Sequence, residues 1–124
     1  MCSSDLWAAG DVARWFHPGL GREVRLEHRL NATEQGQTVA RNILSDEPVM
    51  FAPTPFVWTD QYDVKIQIAG VLAPGVVERT ELDTGDSLIR SFTVGGRLVG
   101  VVGWNAAKAL IPYRRELDFT PVSA

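Results

Sequence analysis

The sequence predicts an α+β fold. Apolar residues recur at helical spacing between Asn31 and Leu44. Strand-length apolar stretches separated by tight turns follow from Val64 onward. Between these regions Pro48, Pro53 and Pro55 break any regular element, so the helix and the strands are segregated rather than alternating.

In order along the chain, Leu6, Trp7, Ala8 and Ala9 form a short apolar run that reads as a strand entering a Gly10-Asp11 turn. His17-Pro18-Gly19-Leu20-Gly21 is turn chemistry and predicts an exposed loop with His17 in solvent. Asn31 has the character of an N-cap, and Glu34 three residues later completes a capping-box pattern. The helix therefore spans Asn31 to Leu44. Gly36 inside it would weaken an isolated helix by roughly 1 kcal/mol relative to alanine, so a close neighbour is expected there. The domain boundary falls in the proline-rich stretch, giving regions 1–47 and 48–124.

The second region reads as a small antiparallel sheet. Val64, Ile66 and Ile68 alternate with Lys65 and Gln67, predicting a strand with one buried face. Val76–Leu82, Leu88–Val94 and Arg97–Val102 are the next strands, joined by turns at Asp83–Asp86 and Gly95-Gly96, an arrangement expected to be a meander. Asn105 caps a final helical stretch that Pro112 interrupts or kinks.

Composition excludes several classes. The net charge is −3, and Lys and Arg are scattered, which argues against nucleic acid. No apolar run reaches the length of a membrane span. Cys2 is the single cysteine, so no internal disulfide forms, and a reducing cytoplasm fits. Two histidines without a Cys-x-x-Cys make a metal site unexpected. Glu81, Asp83 and Asp86 read as a solvated acidic tip.

Three stretches carry chemistry. Gly10-Asp11 puts a carboxylate at the end of an apolar run, where open α/β folds bind ligands. Glu27-His28-Arg29-Leu30-Asn31 leads into a helix N-terminus, whose free N–H groups and dipole favour an anion. Trp58-Thr59-Asp60-Gln61-Tyr62-Asp63 offers an indole able to stack beside a planar group. Taken singly, the first two read as an ordinary turn and an ordinary capped surface helix. Trp58 and Tyr62 could equally anchor the linker.

In this order and spacing the three resemble the C-terminal third of FAD-dependent ferredoxin reductases. That family includes the reductase components of dioxygenase and cytochrome P450 systems and is similar to apoptosis-inducing factor. The matching segments are Ala8 to Ala13, Glu27 to Gly36 and Trp58 to Asp63, and the resemblance covers almost the whole chain. It implies an edge of an FAD-binding domain (strand, loop and helix) followed by a reductase C-terminal α+β domain. It also implies that Asp11, with Val12 beside it, meets the FAD ribityl chain. Glu27, His28, Arg29 and Asn31 would form the helix entry facing the flavin pyrimidine edge, and Trp58 would lie near the flavin. FAD and NAD(P)H are the implied cofactors, with a ferredoxin-type iron–sulfur protein as partner; Arg114-Arg115 offers positive charge to an acidic one.

The chain has neither of the family's Gly-x-Gly-x-x-Gly motifs. A fragment of a longer product is therefore expected, with N-terminal FAD and NAD domains as its missing partners. Alone it is expected to hold FAD weakly, to be inactive, and to self-associate through Trp7, Trp15, Phe16 and Val24. The competing reading is a stand-alone, non-catalytic α+β module for dimerisation or partner binding.

Overall fold

A computed structural model describes residues 6–72, 74–117 and 119, so Cys2 lies outside the described residues. The chain divides into two compact units: one ends at Pro53 and takes in Phe119, the other begins at Thr54.

In the first unit, Leu6 to Ala9 is not a strand, because no described segment pairs with it and an unpaired strand leaves its hydrogen bonds unmade. The turn that follows does form. Gly10 adopts φ +81° and accepts a hydrogen bond from the Ala13 N–H. The predicted loop at His17 is instead the tip of a hairpin. β1 (Trp15–His17) pairs antiparallel with β2 (Arg22–Val24), and the N–H groups of Leu20 and Gly21 both donate to the His17 carbonyl. Nor is His17 solvated: it is fully buried, edge-on to Phe119 at 6.2 Å between ring centroids.

Helix α1 spans Arg29–Ile43, two residues earlier than the sequence suggests. His28 occupies the N-cap position in extended conformation, without a side-chain cap. Asn31 lies inside the first turn and donates through Nδ2 to the Leu26 carbonyl at 3.1 Å, so the capping box does not form. The amide found a backbone acceptor upstream, a local competition that spacing cannot resolve. The close neighbour expected at Gly36 is also absent, since a Cβ there would meet nothing within 4 Å.

The segment after α1 forms no regular element and is fastened by side chains at alternate residues. Asn42 clips Val49 twice, accepting its N–H through Oδ1 at 3.0 Å and donating through Nδ2 to its carbonyl at 2.9 Å. The Trp15 indole N–H donates to Phe51 O at 3.1 Å, and His17 Nε2 reaches Pro53 O at 2.8 Å. Side chains thus replace a neighbouring strand for a segment whose prolines bar a regular ladder. Asn42→Ala removes both bonds to Val49 and is expected to cost about 1 kcal/mol. Selectively faster amide exchange at Val49 would show it; unchanged exchange there would deny the clip any role.

The second unit is a five-stranded antiparallel sheet: β3 (Phe56–Gln61), β4 (Val64–Gly70), β5 (Val77–Asp83), β6 (Leu88–Val94) and β7 (Arg97–Trp104), in spatial order β3-β4-β7-β6-β5. β3 is an addition to the sequence reading, which treated its residues as a linker anchor. It forms a hairpin with β4 through Tyr62, whose φ is +58°. Only β5-β6-β7 is a meander. β4 pairs with β7 rather than with β5, so the sheet closes around the last strand. This puts the apolar β7 (Leu98, Val101, Val102) at the centre, where both its edges are bonded.

The predicted inward face of β4 is also reversed. Ile66 and Ile68 stay partly exposed, and Ala69 is the buried residue. Directly paired residues share a face, so Ala69 lies with Val101 and Ser91, all at most 3% exposed. Ile89 joins them beside Gly103, and Leu110 caps this face: a Cβ at Gly103 would sit 2.9 Å from Leu110 Cδ1. Because a one-residue slip exchanges faces, the alternation in β4 identified a strand but misassigned its inside.

Two bulges shape the sheet. Register shifts leave Glu81 extra in β5 and Val99 extra in β7. The first turns Glu81 onto Ser91, whose hydroxyl donates to its Oε1 at 2.6 Å, so Glu81 does not belong to a solvated tip. After β7, Asn105 does not cap a helix; at φ +49° its Oδ1 accepts the Lys65 N–H at 2.8 Å. The helix α2 (Ile111–Glu116) starts later, with Pro112 in its first turn. Proline is tolerated there because that N–H has no helical partner anyway, so Pro112 opens a helix instead of kinking one.

Candidate functional site

The Gly10-Asp11 turn and the mouth of α1 are held together. The Gly10 N–H donates to Gln35 Oε1 at 2.9 Å in a buried bond. A Cβ on Gly10 would touch the Ala32 Cβ at 3.5 Å, so the turn lies close against the helix. Asp11 and Val12 project from this turn, both exposed, Val12 at 79%. The sequence supplied Asp11 and Asn31 but missed Gln35, the residue that joins them. Gln35 lies one turn beyond Asn31 on the same helical face, and this spacing was its only signal.

The helix mouth is polar and incompletely satisfied. Its first N–H groups have no side-chain cap, and no acidic residue occupies the first turn to offset the positive end of the dipole. Asn31 is 5% exposed, and its Oδ1 has no hydrogen-bond partner; the same holds for Nδ1 of the half-buried His28. Buried polar atoms without partners are uncommon and call for a ligand, water or function. Glu27 is exposed and paired with Arg25 at 2.5 Å, and Arg29 projects outward. These groups leave hydrogen-bonding capacity and the positive end of the helix dipole free at the mouth of α1.

Trp58 belongs to the second unit. It stands on β3 with 44% of its surface exposed, and its ring lies 5.6 Å from that of Phe56, tilted by 30°. Phe56 in turn lies under the Arg114 guanidinium, whose Cζ is 3.6 Å from the ring centroid. A cavity of about 300 Å³ opens beside them, lined by Thr54, Phe56, Ile111, Arg114 and Arg115. The sequence pointed to Trp58 and, separately, to Arg114 as a charge for an acidic partner; it did not point to Phe56 or to the meeting of the three, which depends on α2 folding back to β3.

Residues 56–120 match the family model described as Reductase C-terminal. The chain is 34% identical over 115 residues to the anthranilate 1,2-dioxygenase system ferredoxin–NAD(+) reductase component of Burkholderia cepacia, covering 89% of this chain and 27% of that protein. It is 33% identical over 123 residues to rhodocoxin reductase of Rhodococcus erythropolis, covering 94% and 28% respectively. Among solved structures, the covalent putidaredoxin reductase–putidaredoxin complex superposes with a TM-score of 0.77 at 25% identity, over 93% of this chain and 28% of the matched one. The chain spans only about a quarter of the length of the curated relatives it matches. From Phe56 onward, over more than half its length, this chain belongs to the Reductase C-terminal family.

Proposed function

We propose that this chain is the C-terminal part of an FAD-dependent reductase that passes electrons from NAD(P)H to a ferredoxin-type iron–sulfur protein. The observation that carries the reading is the joined turn and helix mouth, Asp11 beside an uncapped helix start with Asn31 Oδ1 unpartnered, in a chain whose relatives bear ferredoxin-reductase names.

The residues fit the flavin's chemistry. Asp11 presents an exposed carboxylate, able to accept hydrogen bonds from ribityl hydroxyls, with Val12 alongside. The entry residues Glu27, His28, Arg29 and Asn31 offer donors, acceptors and positive dipole to the polar edge of an isoalloxazine. Trp58 offers an exposed indole face where a planar group or a protein partner approaches. When bound, FAD would supply the redox chemistry, accepting a hydride and releasing single electrons. The protein's share is to hold and orient it and to favour negative charge at the helix mouth. Among the described residues no helix is long and apolar enough to cross a membrane, and the proposed setting is the cytoplasm.

Asp11→Ala in the FAD-containing reductase tests this directly. Loss of charge-assisted hydrogen bonds at about 1.5–3 kcal/mol corresponds to roughly a ten- to hundredfold weaker hold on FAD. Apoprotein titration with FAD would measure it, and an unchanged affinity would remove Asp11 from the flavin site. A stand-alone partner-binding module has no specific observation in its favour.

A further inference from the structure

We propose that Arg114 is a positioning residue for Trp58, acting through Phe56. Under the reading given above, this arrangement sets the orientation of the aromatic face presented to the flavin or to the iron–sulfur partner.

Three side chains form a continuous stack. The Arg114 guanidinium covers the Phe56 ring at 3.6 Å, and Phe56 lies 5.6 Å from Trp58 at a shallow tilt. Phe56 and Trp58 are two apart on β3, so they project from the same side of the strand. β3 is an edge strand with β4 as its sole neighbour. Among the described residues, the direct cross-strand partners of Phe56 and Trp58 are Ala69 and Gln67. Ala69 is too small to limit the Phe56 ring, and the cavity beside Phe56 leaves it room to turn. The guanidinium is therefore the group that confines Phe56 from above, and Phe56 in turn confines one side of Trp58.

Arginine suits this role in a way lysine does not. Its flat, weakly hydrated cation lies parallel to an aromatic face and still keeps its edge N–H groups in water. The backbone of α2 anchors the other end: Arg114 N donates to Leu110 O, and Leu110 is fully buried against Gly103 at the sheet centre. Arg114 thus links the sheet core to an otherwise lightly supported edge.

The test uses this 124-residue chain labelled with 5-fluorotryptophan. The Trp58 fluorine resonance is identified as the one lost in Trp58→Phe. Arg114→Ala is expected to shift and broaden that resonance and to leave those of Trp7, Trp15 and Trp104 in place. Phe56→Leu should move it as well, and adding Arg114→Ala to Phe56→Leu should then do nothing more. An unmoved Trp58 resonance in Arg114→Ala, or an equal further shift in the Phe56→Leu background, would overturn the proposal. Arg114→Lys should recover only part of the native position, and full recovery would show that charge without stacking suffices.

The flavoenzyme reading is probed separately in the FAD-containing reductase. There Arg114→Ala should raise KM for the iron–sulfur acceptor about fivefold at unchanged FAD content. A fluorine shift without that change would keep the stack and remove Trp58 from the partner's approach.

Discussion

Gly70→Ala is expected to destabilise the sheet unit by at least about 3 kcal/mol, the combined cost of backbone strain and a steric collision. Gly70 ends β4 at φ +82°, a conformation that side-chain-bearing residues rarely adopt. A Cβ there would lie 2.2 Å from the Val99 carbonyl oxygen and 2.9 Å from the Gly100 Cα, both of them backbone atoms. Val99 O cannot retreat freely, because it accepts the Val71 N–H at 2.9 Å. That bond continues the β4–β7 register one step beyond the Gly70–Gly100 pair, and Val99 is also the extra residue of the β7 bulge facing β6. The substitution therefore pulls on β4, β7 and the bulge together. Urea unfolding of the variant should show a sharply lowered midpoint. Gly75→Ala is the control: that residue also has positive φ, but its Cβ would meet nothing within 4 Å, so it carries the strain without the collision. Equal losses at the two positions would show that the collision is relieved at no cost.

Nothing in Ala69-Gly70-Val71 announces this role, which explains what local pattern can and cannot reveal. Strand identity was legible wherever alternation and turn chemistry coincided, as at Leu88–Val94 and the Gly95-Gly96 turn, both of which form. Strand pairing was not, because the choice of β7 over β5 as the neighbour of β4 depends on contacts thirty residues away. Facing was lost for the same reason: the side of β4 that is buried depends on where Leu110 lands. The missed strand β3 follows two prolines and carries the polar run Thr59-Asp60-Gln61, so its pattern resembles an edge more than a core.

The candidate site was legible as motifs, not as geometry. Asp11 and Asn31 were identified from their sequence context, and they are brought together by a bond from Gly10 to Gln35 that no motif records. Asn31 was assigned the wrong job. As a cap it would have spent its oxygen on a backbone N–H. As a first-turn residue it donates its amide backwards and leaves that oxygen unpartnered. The error in helix boundary therefore concealed the feature that makes the helix mouth look like a binding edge.

His17 poses the same problem in the first unit, and replacing it should have the second large effect. His17→Ala is expected to cost about 2–4 kcal/mol, from the cavity left behind and the carbonyl left unpaired. Pro53 O can only accept, so Nε2 carries the proton in the 2.8 Å bond, and Nδ1 is left bare in a fully buried ring. The ring also fills the space between Trp15, at 6.3 Å, and Phe119, at 6.2 Å. Its bond is the last of three anchor points that fasten the segment after α1, following those at Val49 and Phe51. Loss of the ring should therefore free the end of that segment more than its beginning. Chemical denaturation would give the total cost. Limited proteolysis should show new cleavage near Pro53, with Val49 still protected by Asn42. His17→Gln restores a donor but not the aromatic volume, so it should recover part of the stability and most of the protection at Pro53. If His17→Ala unfolds at the wild-type midpoint and resists cleavage at Pro53, the buried imidazole is a passive filler and the segment is held by Asn42 and Trp15 alone.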